Sequence, residues 1–479
     1  MSIKFRLTLM NFLEFAVWGA YLTSMGNFLG NAGHGSIIGW FYSIQGIVSI
    51  FMPALMGIVA DRWMQAQKLL SLCHLLSGVF MISAGWYGMQ RGFDIEPLFT
   101  LYTLSVAFYM PTLALSNSVA FNALTRENMD TVKAFPSIRV FGTIGFIISM
   151  WIVDAGFAGL MSLVVSILSF NWLHNFDIDF HIFDPTSIEV ALNSFFSRLA
   201  GSDMFLYGLL VRGLQVNSGQ FIWSGILSLV LAVYSMTLPA CPVKESVRVD
   251  GNRANSIIHA LGLDSFKLFK DYRMAVFFVF SMLLGVSLQI TNGYANPFIT
   301  SFKGIAEYAH TFGAMHANIL ISISQISETC CILLIPFFLK KFGIKKVMMI
   351  AMLAWVLRFG FFGLGDTGPG VWMFILSCLV YGVAFDFFNV SGALYVDQNT
   401  DVDIRSSAQG LFMMMTNGLG ATIGTLSAQA IVNHFVAIGP TADAAANLPM
   451  WRTCWFIFSA YSLVVLILFT VIFREKKSE

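Results

Sequence analysis

The sequence predicts an all-α membrane protein with twelve transmembrane helices in two six-helix halves and both termini cytoplasmic. Three observations carry that prediction. Of the 479 residues, 57% are hydrophobic and only 11% charged, against about 25% charge in a soluble domain. Roughly twelve apolar runs reach the ~20 residues needed to cross a bilayer. The connections between those runs alternate between basic and base-poor, as short loops on opposite sides of a membrane do.

The runs lie near 7–29, 37–60, 68–89, 97–122, 138–160, 219–239, 273–298, 312–339, 344–364, 371–396, 406–434 and 451–473. The first starts with Lys4 and Arg6, like a signal peptide. It is long, however, contains Glu14 and meets no small-residue cleavage site, so it reads as a retained span. After the fifth run, AGLMSLVVSILSFNWL either extends that helix or forms a short one at the interface. Arg62 and Lys68, then Arg126 and Lys133, then Lys244, Arg248, Arg253, Lys267 and Lys270 mark alternate connections. Lys340, Lys341, Lys345 and Lys346 mark the next, and Arg474, Lys476 and Lys477 close the chain. Segments 30–36, 299–311, 365–370 and 435–450 are poor in basic residues, which puts both termini in the cytoplasm.

The halves are expected at 1–242 and 273–479, joined by a polar cytoplasmic linker at 243–272. GIVADRWMQAQK after the second run has a positional counterpart in FFLKKFGIKKVM after the eighth, which suggests parallel repeats with a site between them. An external insertion at about 173–218 is too polar to span. It reads as a folded cap, a short amphipathic helix or a mobile insertion.

Composition also excludes function classes. A net charge of +1 gives no reason to expect nucleic acid. The six cysteines lack metal spacing and read as apolar packing residues. There is no HExxH or GxSxG, the eight histidines are scattered, and His74 and His316 read as packing or interfacial residues. No enzyme and no cofactor is implied. A channel would need a ring of equivalent filters, which two unlike halves do not supply.

The chemistry lies in polar side chains within the apolar runs. An ionised group at the bilayer centre costs roughly 2.5–3.5 kcal/mol on insertion scales, so it faces a cavity or a partner. Arg139 sits in SIRVFGTIGFIISMW, Glu328 in ILISISQISETCCILLIPFF and Asp386 in LVYGVAFDFFNVSGALY. Residues three or four apart share a helix face. Arg139, Thr143 and Phe146 therefore form one stripe, Gln289 pairs with Asn292, and Gln325 pairs with Glu328. Tyr381, Phe385 and Phe388 stand close to Asp386 and Asn389. Aromatic faces beside carboxamides, a guanidinium and carboxylates suit a small, flat, hydroxyl-rich ligand. The competing reading for the amides is glue between helices. Asp386 is the leading expectation for a coupled proton, with Glu328 mainly a hydrogen-bonding partner. Glu14, about one turn from Trp18, adds another carboxylate near the cavity. Asp154 is expected near the outer interface, solvated there.

Gly57, Asp61, Arg62 and Lys68 resemble the cytoplasmic signature of the major facilitator superfamily, although Met64, Gln65 and Ala66 depart from it. Asp61 and Arg62 could cap the second span or serve topology alone. FPSIRVFGTIGF, LGLDSFKLFKDYRMAVFFVFSMLLGVSLQITN, SISQISET, IPFFLKKFGIKKVMMI and YGVAFDFFNVSG are similar to the bacterial nucleoside:proton symporter family of that superfamily. MPTLALSNS and SSAQGLFMMMTNGLG fit as well, so the resemblance covers nearly the whole chain outside 155–218. It implies proton-coupled uptake of nucleosides such as uridine, cytidine and adenosine by a multi-pass monomer in the lipid of the bacterial inner membrane. The substrate contacts it implies are Arg139, Thr143, Phe146, Gln289, Asn292, Gln325, Glu328, Tyr381, Phe385 and Asp386. Asp386, Glu328 and Glu14 are the candidates for proton coupling. The rival is a proton-linked carrier of the same fold for another small polar solute, such as a sugar.

Overall fold

Hydrocarbon offers no partner for backbone N–H and C=O groups, so an apolar run that crosses it must satisfy them internally, as a helix does. In the computed structural model, which describes residues 2–169, 185–241, 263–401 and 405–473, each of the expected runs falls on helical backbone and no strand occurs among those residues. The linker up to residue 262 and the terminal Arg474, Lys476 and Lys477 lie outside the described residues, as do the side chains of Asp61 and Arg62. Eight described helical stretches are long and apolar enough to cross a membrane, and one of them, Ala317–Leu364, contains two of the expected runs.

The first run forms α1 (Ile3–Gly19) and α2 (Met25–Asn31), followed by α3 (Ile38–Arg62) and α4 (Ala66–Gly88). The fourth run divides into α5 (Ile95–Tyr109) and α6 (Thr112–Arg126) at Met110–Pro111, where the proline has no N–H to continue the ladder. α7 (Thr131–Leu168) is broken at Gly156, whose φ of 71° only glycine adopts readily. Residues 157–168 are therefore a separate helical segment and not a straight extension. α8 (Pro185–Ala200) occupies the insertion and exposes Ile188, Val190, Phe195 and Leu199, the amphipathic helix among the expected alternatives. Residues 170–184 of that insertion lie outside the described residues. α9 (Met204–Tyr207) and α10 (Gly219–Ser235) follow.

In the later part of the chain, Asp271 caps α11 (Tyr272–Leu288) by accepting from the backbone N–H groups of Arg273 and Met274. Gln289 interrupts the helix before α12 (Ile290–Ser301). The short α13 (Phe312–Met315) precedes α14 (Ala317–Leu364), in which Gly343 at φ 76° turns one span directly into the next. α15 (Val371–Gln398), α16 (Arg405–Met413), α17 (Ala421–Phe435) and α18 (Ala444–Ile472) complete the fold.

Packing repeats this order. α1 lies on α7 and α10, α4 on α5 and α10, and α14 on α15 and α18. The α1–α7 crossing is a close one. A Cβ at Gly19 would collide with the Phe146 backbone, and one at Gly145 with the Phe12 carbonyl. Small residues of this kind let two backbones approach in lipid. The crossing brings Phe15 and Trp18 of α1 beside Arg139 and Phe146 of α7.

Residues 1–235 and 272–472 meet at the end of the bundle that carries 30–36 and 302–316. Asn433 Nδ2 donates to the Ser36 carbonyl (2.7 Å), and Trp151 Nε1 donates to Ser322 Oγ (2.8 Å). Asp154 is central to this closure: its Oδ2 lies 2.8 Å from His316 Nδ1, and its Oδ1 accepts from the Asn318 backbone N–H (3.1 Å). This corrects the expectation of an Asp154 solvated at the interface, because the residue is 2% exposed and its solvation comes from the facing helix. It also gives His316 a specific partner in place of general packing. A hydrogen bond to a buried charge contributes about 1.5–3 kcal/mol. Asp154→Ala should therefore speed amide hydrogen exchange across 312–320 by about tenfold or more. Exchange equal to wild type would show that the contact does not hold this end shut.

Candidate functional site

Four helical elements contribute the polar residues expected to act together. α7 presents Arg139, Thr143 and Phe146. The α11–α12 break presents Gln289 and Asn292, the first half of α14 presents Gln325 and Glu328, and α15 presents Tyr381, Phe385 and Asp386. Arg139, Thr143, Gln289, Asn292, Gln325, Glu328 and Phe385 are all partly exposed, although each sits well inside its helix or at a mid-bundle break. Phe146, Tyr381 and Asp386 are each 6% exposed.

Arg139, Glu328 and Asp386 share one electrostatic environment. Glu328 is the strongest charged neighbour of Arg139, followed by Asp386 and Glu14, and Asp386 in turn feels Glu328 and Arg139. Even so, neither Glu328 nor Asp386 comes within ion-pairing distance of Arg139. The guanidinium instead lies 3.8 Å from the centroid of the Phe15 ring, a cation–π contact of about 0.5–2 kcal/mol. Asp386 Oδ2 is buried with no hydrogen-bond partner. An unpartnered carboxylate oxygen inside a membrane bundle is costly. In this state the fold leaves that cost uncompensated.

The other expected residues pair locally. Asn292 Nδ2 donates to Gln289 Oε1 (2.8 Å), so the break at Gln289 offers a linked amide pair. Tyr381 and Phe385 stack with ring centroids 5.6 Å apart and planes 17° apart. Phe146 meets Trp18 edge to face at 6.3 Å, and Trp18 Nε1 donates to Gln45 Oε1 (3.2 Å). Phe388 is buried against Phe412, and Asn389 Nδ2 donates to the Phe385 carbonyl (3.0 Å), so this pair supports α15 internally.

Glu14 differs from the other acids. It is fully buried, its Oε2 lies 2.9 Å from His74 Nε2, and its Oε1 accepts from Thr112 Oγ1 (2.5 Å). His74 Nδ1 is 3.0 Å from Ser228 Oγ, and the Tyr109 hydroxyl donates to the Glu14 carbonyl (2.8 Å). This network links α1, α4, α10 and the α5–α6 break. His74 is thus a partner to a buried acid as well as a packing residue.

Arg358, unmarked among the expected residues, is 2% exposed in the second half of α14 and lies 4.2 Å from the Tyr381 ring centroid. The signal was the one used for Arg139: an ionisable residue inside an apolar run, here LAWVLRFGFFGLG.

The sequence model of the family described as "Nucleoside H+ symporter" matches residues 1–196 and 199–478. The chain is 39% identical over 473 residues to the xanthosine permease of Escherichia coli K12, covering 98% of this chain and 95% of that one. It is 37% identical over 479 residues to the nucleoside permease NupG of the same organism, covering 99% and 97%. A crystal structure of the nucleoside transporter NupG superposes with a TM-score of 0.77 at 37% identity, covering 99% of this chain and all of that one. The all-helical architecture, the apolar spans and these full-length similarities place the chain in the nucleoside–proton symporter family, as a multi-pass membrane transporter of the major facilitator fold and not an enzyme.

Proposed function

We propose that this chain carries nucleosides together with protons across the bacterial inner membrane by alternating access. Two halves, 1–242 and 273–479, would rock about a site between them, the chain acting as a monomer in lipid with twelve crossings and both termini cytoplasmic. What supports the reading is that Arg139, Glu328 and Asp386, contributed by α7, α14 and α15, are near enough to influence one another's charge, with the Tyr381–Phe385 stack adjoining Asp386 on α15. Similarity to nucleoside and xanthosine permeases over nearly the full length favours nucleosides such as uridine, cytidine and adenosine over sugars.

In this proposal the base stacks on Phe385 and Phe146, and its polar edge meets Gln289, Asn292 and Gln325. The ribose hydroxyls bond to Glu328, with Arg139 and Thr143 at the other wall. The end held by Asp154 and Asn433 bears the base-poor connections and so faces outside. When the carrier faces outward, a proton from outside settles on Asp386 and relieves its unpartnered charge. Nucleoside then binds and the halves rock inward. Release of both cargoes lets Asp386 ionise and draw Arg139 away from Phe15, which resets the cycle. Glu328 and Glu14 are the other carboxylates that could carry the proton. The two side-chain partners of Glu14 favour a structural role for it.

Uridine uptake into proteoliposomes under an imposed proton gradient tests this directly. Wild type should accumulate uridine only when the outside is acidic, and a protonophore should abolish accumulation. Asp386→Asn should lose gradient-driven accumulation while still exchanging labelled for unlabelled uridine. Normal acid-stimulated accumulation in that variant would remove Asp386 from the coupling step. Stacking of a base on an aromatic ring contributes about 1–3 kcal/mol, so Phe385→Ala should weaken uridine binding by roughly 5- to 150-fold. Calorimetry giving wild-type affinity for Phe385→Ala would place the site elsewhere.

A further inference from the structure

Arg358 poses a problem that the proposed transport cycle does not use. It is a buried cation in the middle of a span, and no carboxylate of the described residues lies within ion-pairing distance. Three neutral acceptors take its N–H groups instead. Nη2 donates to Thr291 Oγ1 (3.1 Å), and Nη1 donates to Ser324 Oγ (3.3 Å) and to the Ser377 carbonyl (3.0 Å). Ser377 Oγ returns a bond to the Arg358 carbonyl (2.8 Å). The charged carbon lies 4.2 Å from the Tyr381 ring centroid, while Nε has no partner.

The addresses of these contacts matter more than their number. Thr291 lies between Gln289 and Asn292, Ser324 directly precedes Gln325, and Ser377 is one turn before Tyr381. One guanidinium therefore touches each of the three helical elements that carry the site residues of the later half, close to the residue in question. It also begins an aromatic column: Arg358 lies against Tyr381, and Tyr381 stacks on the partly exposed Phe385. Trp355, one turn before Arg358, meets Tyr381 edge to face at 6.0 Å and completes the wall behind the ring.

A cation this deep in a bundle is normally retained for a purpose. Neutral acceptors and a π face hold a guanidinium without quenching its charge, and only a planar five-donor fork reaches three helices at once. We infer that Arg358 is a positioning residue for the substrate: through Tyr381 it sets the orientation of the Phe385 platform, and through Thr291 and Ser324 it sets the spacing of the Gln289–Asn292 and Gln325–Glu328 pairs. It touches no cargo itself. This inference rests on the nucleoside reading of the site.

A double-mutant cycle on purified protein separates positioning from general stability. Arg358→Lys keeps the charge and loses the fork. It should raise the Kd for uridine and for adenosine by about tenfold, change the ratio of the two, and leave maximal counterflow within about twofold. On a Tyr381→Leu background the same exchange should cost clearly less, about threefold, because the route through the ring is gone and only the route through Thr291 and Ser324 remains. Equal losses on both backgrounds, or unchanged affinities, would overturn the assignment. Should Arg358→Lys not insert stably, Thr291→Val removes a single acceptor and should raise the Kd about threefold; no change there would overturn it equally. Wild type that binds neither uridine nor adenosine would overturn the nucleoside reading first, and the inference with it.

Discussion

Lipid cannot solvate charge, so every ionisable group that this chain carries into the bilayer must be solvated by the protein. The molecule does this in several ways. Glu14 receives a histidine ring and a hydroxyl, and Asp154 a histidine ring and a backbone N–H. Arg358 has hydroxyls, a carbonyl and a tyrosine face, and Arg139 has the Phe15 ring. Asp386 Oδ2 and Arg358 Nε are left without a hydrogen-bond partner, and of the two groups only the acid can lose its charge by taking up a proton. Groups with several partners hold helices in place, and the acid left short is where a proton gains most by arriving. On the proposed cycle, transport is concentrated where the protein has stopped solvating its own charge.

The aromatic content serves the same division of labour. Phe15 and Tyr381 each present a ring face to a guanidinium, which keeps a positive charge in an apolar wall without committing it to an anion. A committed ion pair would have to be broken in every cycle. A ring contact is weaker and less directional, so it yields more readily. Gly142 makes this possible on the earlier side, because a Cβ there would meet both the Phe15 ring and the Arg139 guanidinium.

Much of this was legible in the sequence because it is local. Apolar runs and basic turns are read over a few residues, and helical spacing alone groups Gln289 with Asn292 and Tyr381 with Phe385. What escaped is long-range. The partners of Asp154 and Glu14 lie 162 and 60 residues away, and no periodicity reports that distance. Asp154 looked interfacial because its run ends nearby, yet the opposing helix covers it. Arg358 was visible by the criterion applied to Arg139, but it adjoins no other polar residue on its own helix, so spacing supplied no companion to mark it.

Gly343 joins the span that carries Glu328 to the span that carries Arg358 through one left-handed residue, with no intervening loop. Such a joint has no slack. A tilt of the first span cannot be absorbed by connecting chain and must be passed to the second, so the two behave as the arms of a single rigid hairpin. Occupancy sensed at Glu328 would then be felt mechanically at the base of the aromatic column, and lengthening the joint by a few flexible residues would uncouple the two without altering a single contact at either.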